Sequence, residues 1–191
     1  MNDFQEYLIY HNLFNGLKSI NRQSVIQKGS TRSESVAEHT LQLVSIIEYF
    51  FLKDSTLNQK LDYRQCIQLA LCHDLEELFI GDSYDLSPNY QEAATSLGNF
   101  LQEAKLQSNI IKTLSLASES YKNKRDPNAL FVWALDKLLP RIQYYITNGD
   151  SSDGKPTNNY KRDLQNIEIS KVHSILKEII EILYPTTFQK N

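Results

Sequence analysis

The sequence predicts an all-α protein, and three observations support this prediction. Apolar residues recur at the three- and four-residue spacing of a helix along most of the chain. Only six glycines and five prolines occur in 191 residues, whereas folds built from many short strands need more turn residues. No segment shows a convincing alternating strand pattern. We therefore expect a bundle of helices.

Size and composition indicate a single domain over residues 1–191. Hydrophobic residues make up 41% and charged residues 23% of the chain, which is typical of a globular protein with a substantial core. The formal net charge is −3. This charge argues against a nucleic-acid polymer as a partner, although it is compatible with a small basic pocket for one phosphate.

The expected location is the cytoplasm. Cys66 and Cys72 are the only cysteines, and their spacing fits neither a disulfide scaffold nor a zinc site, so we expect core thiols in a reducing compartment. The N-terminal residues lack the basic and then apolar layout of a signal peptide. No apolar run approaches the roughly 20 residues needed to cross a bilayer, so no membrane partner is expected.

Start and stop signals place the helices along the chain. Ser33 or Ser35 caps the second helix, Gly81 follows the end of the third, and Pro127 suits the first turn of a later long helix. The polar stretch 148–158 is predicted to be a solvated loop. The predicted helices cover about 3–20, 35–52, 62–79, two shorter segments within 90–120, 127–147 and 161–183.

Ionisable residues interrupt the apolar stripes of three of these helices. His39 falls on the apolar face of the second helix, three residues after Val36. Asp74 continues the apolar face of the third helix, and His73 lies beside it at the C-terminal end of that helix. Asp136 lies in the middle of the apolar stripe of the helix that follows Pro127. Three helices thus each direct a polar group toward the interior.

A divalent cation explains the two interior carboxylates together. A buried carboxylate is costly unless its charge is compensated. Two imidazoles and two carboxylates form a ligand set that suits Mn, Co, Fe, Zn or Mg. Each residue alone also has an ordinary explanation: a lone histidine on an apolar face is usually a hydrogen-bonded core residue, and Asp136 beside Lys137 could form a surface pair. The prediction of a metal site therefore depends on the combination.

Three segments in this order resemble the HD-domain phosphohydrolase superfamily: Ser35-Val-Ala-Glu-His39, then His73-Asp-Leu-Glu-Glu77 with Gly81-Asp82, then Ala134-Leu-Asp-Lys137. The similarity runs over about 21–149. Within the superfamily, the chain looks most like the small single-domain branch that includes bacterial 5′-deoxynucleotidases. The resemblance implies an HD-type helical bundle with the metal site between helices. It also implies a homodimer and, as the substrate, a small phosphate ester of the nucleotide class.

The resemblance also implies roles for individual residues. Glu77 would orient or deprotonate the attacking water, and Asp82 would hold the sugar or assist the leaving group. Arg22 matches the phosphate-contacting arginine of the family. The deoxynucleotidases follow that arginine with a tryptophan that helps to select the sugar, whereas this chain has Gln23, so the sugar and the nucleotide stay open. The implied ligands of one divalent ion are His39, His73, Asp74 and Asp136.

The expected function is a metal-dependent phosphohydrolase, most directly a phosphomonoesterase for (deoxy)nucleoside 5′-monophosphates. One alternative is hydrolysis of another nucleotide, such as a triphosphate or an alarmone, although the alarmone branch carries an acidic pair and a threonine where this chain has Glu76-Glu77-Leu78. A metal-binding scaffold without catalysis is the other alternative. Intact Glu77 and Arg22 argue against a scaffold, which needs neither. Glu76 is predicted to be an ordinary surface carboxylate.

Overall fold

A computed structural model describes residues 2–26, 32–82, 90–146 and 159–185. Helices dominate these residues, and the prediction of an all-α fold is confirmed. The predicted loop 148–158 lies outside the described residues. The helices are α1 (Asp3–Gly16), α2 (Val36–Lys53), α3 (Tyr63–Cys72), α4 (Glu77–Ile80), α5 (Tyr90–Glu103), α6 (Ser108–Asn123), α7 (Pro127–Ile146), α8 (Asn159–Val172) and α9 (Ser174–Leu183). Two 3-10 turns cover Leu17–Ser19 and Ser55–Gln59.

The helix α2 begins at a reciprocal cap. The Ser35 hydroxyl accepts a hydrogen bond from the Glu38 backbone N–H at 3.2 Å, and the Glu38 carboxylate accepts one from the Ser35 backbone N–H at 2.8 Å. This capping box satisfies two backbone donors that the helix itself cannot pair. Arg32, which is exposed, forms an ion pair with Glu38 at 2.5 Å. Ser35 rather than Ser33 is therefore the capping residue, four positions before His39.

The polar segment before α2 differs from the prediction of a loop without strands. It contains the strands β1 (Asn21–Ile26) and β2 (Ser33–Ser35), which form a two-stranded antiparallel sheet with an irregular register. The Val36 backbone N–H also donates to the Ile20 carbonyl at 2.9 Å. Short polar strands of this kind depend on their pairing partners rather than on intrinsic propensity, which explains why the pattern of the sequence does not reveal them.

Two predicted helices are interrupted. The third ends at Cys72, and a turn over 73–76 precedes α4. In that turn, the Leu75 N–H donates to the Cys72 carbonyl at 3.3 Å and the Glu77 N–H donates to the Asp74 carbonyl at 3.1 Å. Each of these bonds spans three residues, which is the tighter spacing of a 3-10 turn. The predicted last helix is divided into α8 and α9 at His173, whose ring caps α9 through the Ile175 N–H.

The helix α7 lies at the centre of the molecule and packs against α2, α3, α6 and α8. Six consecutive side chains of α7, at positions 131–136, are buried, and two more buried side chains follow Lys137. The two thiols are also core residues, as predicted, and burial raises the pKa of Cys66 and of Cys72 to about 12. Within the described part of the chain, no helix combines the length and apolar character that a membrane crossing requires. The buried side chains of this stretch are Phe131, Val132, Trp133, Ala134, Leu135, Asp136 and, after Lys137, Leu138 and Leu139.

Candidate metal centre

Three structural elements bring the four predicted ligands together. His39 lies in the first turns of α2, His73 and Asp74 lie in the turn after α3, and Asp136 lies in the middle of α7. Ligand atoms of His39, His73 and Asp74 all lie within 4.8 Å of one another. Asp136 Oδ1 lies 2.8 Å from His39 Nε2 and 3.8 Å from His73 Nε2. The interior polar groups predicted from three separate helices therefore form one cluster.

The hydrogen bonding of His73 tests whether this cluster fits a cation. Its Nδ1 lies 2.7 Å from the Ala70 carbonyl oxygen, which can only accept, so Nδ1 carries a proton. In a neutral ring Nε2 then has a lone pair, and it faces Asp74 Oδ2 at 2.8 Å. Nε2 has no partner in hydrogen-bond geometry among the described residues. A cation between the two atoms removes the repulsion between their lone pairs, so the residues fit a divalent metal ion.

The charges around the cluster favour the metal-binding protonation states of His39 and Asp136. Burial lowers the pKa of His39, and the nearby Arg22 charge lowers it further. Burial also acts to lower the pKa of His73, but Asp74 outweighs it and the pKa is raised, so a bound cation competes with a proton there. Burial opposes ionisation of Asp136, yet Lys137 and the two histidines hold its pKa well below the usual range. A neutral His39 and an ionised Asp136 are the forms that bind metal.

The two-stranded sheet places the Arg22 guanidinium and the Glu34 carboxylate beside the proposed metal ligands. Arg22 Nη1 lies 3.6 Å from Asp74 Oδ2, and Arg22 Nε lies 3.9 Å from Glu34 Oε2. Glu34 Oε2 also lies 4.0 Å from His39 Nδ1. The buried atoms Arg22 Nε and Glu34 Oε1 have no hydrogen-bond partner among the described residues. Unsatisfied buried polar atoms at such a site indicate room for a polar ligand or for water.

The sequence pattern did not reveal that Glu34 is buried at the site. The side chain is 3% exposed. Burial raises the pKa of Glu34 to about 6, and Arg22 opposes that rise. The segment Ser33-Glu34-Ser35 is polar throughout and carries no periodic signal, so the burial of Glu34 becomes evident only once β2 is known to pair with the strand that carries Arg22.

The acidic residues that follow the His-Asp pair occupy different environments. Glu77 begins α4 and is 5% exposed. Asp82 is partly buried, and its charge and that of Glu77 both act to raise the pKa of Arg22. The prediction that Glu76 lies at the surface is wrong, because its side chain is 1% exposed. Glu76 accepts a hydrogen bond from Ser118 at 3.2 Å and pairs with Lys122 at 3.1 Å.

Gln23 stands where the deoxynucleotidases have a tryptophan, and its side chain lies outside the described part of the structure. Sequence reasoning also missed Tyr121 of α6, whose hydroxyl donates to Asp136 Oδ2. Its position in an ordinary amphipathic helix gave no signal of a role at the site. The contact between Tyr121 and Asp136 arises because α6 packs against α7.

Comparison with known proteins gives one family and two structural relatives. A family model described as an HD domain matches residues 14–179. The fold is similar to the crystal structure of a predicted metal-dependent phosphohydrolase from Magnetospirillum magnetotacticum MS-1, with a TM-score of 0.77 and 18% identity over 95% of this chain and 96% of that chain. A conserved hypothetical protein from Pyrococcus furiosus has a TM-score of 0.65 and 25% identity over 93% of this chain and 99% of that chain. No curated protein matches the sequence.

Proposed function

Because the chain belongs to the HD domain family, we propose that it is a metal-dependent phosphohydrolase. The observation that carries this proposal is the convergence of His39, His73 and Asp74, whose ligand atoms lie within 4.8 Å of one another. Asp136 completes the proposed ligand set. The Magnetospirillum protein, a predicted metal-dependent phosphohydrolase of similar fold, supports this proposal.

In the proposed reaction, Arg22 binds the nonbridging oxygens of the phosphate. Burial acts to lower the pKa of Arg22, but the surrounding carboxylates, led by Asp74, outweigh burial and raise it, so the guanidinium stays charged. Its separations of 3.6 and 3.9 Å from Asp74 and Glu34 exceed those of a strong charge-assisted hydrogen bond. These contacts hold the guanidinium in the site while leaving it able to bind a phosphate, whose geometry its planar fork matches.

Glu77 and Asp82 have separate roles in the proposed reaction. A divalent ion, when bound, supplies positive charge that polarises a phosphate oxygen and lowers the pKa of water. Glu77 orients the attacking water or accepts its proton, and its backbone N–H donates to the carbonyl of the proposed ligand Asp74 at 3.1 Å. Asp82 holds the sugar or assists the leaving group. The products are an alcohol and inorganic phosphate.

The proposed substrate is a (deoxy)nucleoside 5′-monophosphate, which the sequence resemblance supports. The test is phosphate release from a panel of mono- and triphosphates and a guanosine tetraphosphate, each with Mn, Co, Fe, Zn or Mg. We expect monophosphates to be the best substrates. Preferred release from triphosphates or alarmones would replace the proposed substrate class and keep the phosphohydrolase.

The variant Glu77→Ala distinguishes an enzyme from a scaffold. We expect it to bind metal as the unmodified chain does and to release almost no phosphate, because Glu77 handles the water and does not belong to the ligand set. The exposed Glu178 of α9 provides the matched control, and Glu178→Ala should keep full activity. A protein that binds metal but releases no phosphate from any compound of the panel is a scaffold, and this result would overturn the proposal.

We also propose that residues 1–191 form a single HD-type domain that works in the cytoplasm as a homodimer. The family match over 14–179 supports the single domain, whereas the dimer rests on the resemblance alone and the location rests on the two thiols, which suit a reducing compartment. Light scattering coupled to size-exclusion chromatography measures the mass in solution. A monomeric mass would contradict the dimer without affecting the proposed reaction.

A further inference from the structure

We infer that Tyr121 is a positioning residue that fixes how Asp136 presents its carboxylate to the metal, an inference that rests on the metal site proposed above. Tyr121 lies in α6, which supplies none of the proposed ligands, and it is 6% exposed. Its hydroxyl donates a hydrogen bond to Asp136 Oδ2 at 2.5 Å. Hydrogen bonds from a hydroxyl to a carboxylate at this distance are among the stronger ones in proteins.

The two oxygens of Asp136 have separate sets of partners. Oδ1 faces the imidazoles, at 2.8 Å from His39 Nε2 and 3.8 Å from His73 Nε2. Oδ2 instead contacts the Tyr121 hydroxyl and Lys137 Nζ, the latter at 3.0 Å. These opposed contacts fix the plane of the carboxylate. Asp136 would therefore present Oδ1 to a cation bound beside the two imidazoles.

Tyr121 sets this orientation more firmly than Lys137 does. The Lys137 side chain is 24% exposed, and its flexible stem allows the ammonium group to follow the carboxylate. The Tyr121 ring is buried and has only two rotatable bonds. It also packs edge-on against His73, with ring centroids 5.3 Å apart and planes at 65°. One side chain of α6 thus supports two proposed ligands, one on α7 and one in the turn after α3.

A buried tyrosine hydroxyl needs some hydrogen-bond partner, and Asp136 could serve only that need. Such a purely structural role predicts a different result from a positioning role. In that case, removal of the hydroxyl would lower the stability of the metal-free protein and leave metal affinity unchanged. A positioning role predicts weaker metal binding, because the freed carboxylate can rotate and lose its fixed direction. Loss of an outer partner of a metal ligand usually weakens metal affinity about 10- to 100-fold.

The variant Tyr121→Phe tests the inference, since it removes the hydroxyl and keeps the ring beside His73. The dissociation constants of Mn2+ and Zn2+ are measured by chelator competition on the metal-stripped full chain, and we expect them to rise about 10- to 100-fold. The visible spectrum of bound Co2+, which depends on the number and geometry of its ligands, should change in the same variant. Lys137→Met should have a smaller effect on both measurements.

Ser118→Ala is the matched control, because Ser118 lies one turn earlier in α6 and its buried hydroxyl donates to Glu76 instead of a proposed ligand. It should leave metal affinity and the Co2+ spectrum unchanged. Unchanged affinity and spectrum in Tyr121→Phe, with or without lower thermal stability of the metal-free protein, would overturn this inference alone. If the unmodified chain binds no divalent metal, the proposed metal site is wrong and the inference is wrong with it.

Discussion

The helical side and the strand side of the candidate metal centre are built differently. On the helical side, α2 and α7 hold His39 and Asp136 in direct contact at 2.8 Å inside the main core. On the strand side, a short sheet of irregular register holds Arg22 and Glu34 at separations of 3.6 to 4.0 Å from their neighbours. Directly paired groups are held in fixed positions, whereas loosely paired buried groups can still accept a ligand.

This difference suggests a division of roles. The helical side is suited to a permanent ion, whose ligands must be in place before it binds. The strand side is suited to a substrate that arrives and leaves in every turnover. Changes on the helical side should therefore remove metal and activity together, and changes on the strand side should mainly affect substrate binding. The following predictions test this division, beginning with the largest expected effect.

Asp74→Ala should remove metal binding and reduce phosphate release to background. Asp74 is part of the three-residue cluster, and hydrolysis of a phosphate monoester without catalysis is extremely slow, so the reaction depends on the complete site. Metal content after dialysis and phosphate release in excess metal are the measurements. Asp3→Ala, at an exposed position of α1, is the control. Normal activity of Asp74→Ala in excess metal would contradict the proposed ligand set.

Arg22→Lys should leave metal affinity unchanged and weaken use of the substrate. A lysine keeps the charge but lacks the fork that bonds two phosphate oxygens at once. Loss of a hydrogen bond to a charged group is worth about 1.5–3 kcal/mol, or roughly a 10- to 150-fold decrease in kcat/KM. The matched control is Arg32→Lys, because Arg32 is exposed and paired with Glu38 in the same segment. Equal effects of both changes would argue against Arg22 as the phosphate contact.

The sequence predicted the helical side far better than the strand side. The start of α7 and the cap of α2 follow from local signals, since Pro127 and Ser35 act within one turn of the helix they start. His39 and Asp136 stand out because each interrupts an apolar stripe. By contrast, the position of Glu34 depends on pairing of β1 with β2.

Burial of Glu76 and the contact of Tyr121 with Asp136 likewise depend on tertiary packing. Both arise where α6 packs against α3 and α7, and the partners are 42 and 15 residues apart in the chain. Neither residue interrupts a periodic pattern in a way that marks it. Tertiary neighbours are not encoded in local periodicity, so these parts of the site became visible only in the structure.

Glu34→Gln should stabilise the metal-free protein at neutral pH. Burial raises the pKa of Glu34 to about 6, above its ordinary value of 4.5, so the folded state binds this proton more tightly than the unfolded state does. The stabilising effect of the proton is complete below pH 4.5 and is lost as the pH rises through 6. The unfolding free energy of Glu34→Gln, measured in urea, should therefore gain on that of the unmodified chain as the pH rises. This gain should reach up to about 2 kcal/mol between pH 4 and pH 7.

The same variant connects stability with function on the strand side. Glu34 contacts Arg22 at 3.9 Å, and loss of its charge should release the guanidinium and raise KM while metal affinity changes little. A gain in stability accompanied by poorer substrate binding is expected where a buried charge is retained for function. A constant difference in unfolding free energy between pH 4 and pH 7 would show that Glu34 does not titrate as a buried acid.

The smallest expected effect comes from the contact between α1 and α4. A Cβ atom at Gly16 would lie 2.7 Å from Leu78 Cδ2, so Gly16→Ala should displace Leu78, the neighbour of Glu77 in α4. Because Leu78 Cδ2 is the end of a flexible side chain, the loss of packing should roughly cancel the helix-propensity gain of about 1 kcal/mol. Stability should hardly change, and kcat should fall a few-fold with unchanged metal affinity.

Gly98→Ala separates the propensity gain from the displacement of α4. Gly98 lies within α5, and a Cβ atom there meets nothing within 4 Å. This control should therefore gain about 1 kcal/mol of stability and keep its kcat, as measured by urea unfolding and phosphate release. If Gly16→Ala also gains the full amount and keeps its kcat, the α1–α4 contact does not position Glu77. The position of Glu77 would then depend on the turn after α3, and thus on the helical side of the site alone.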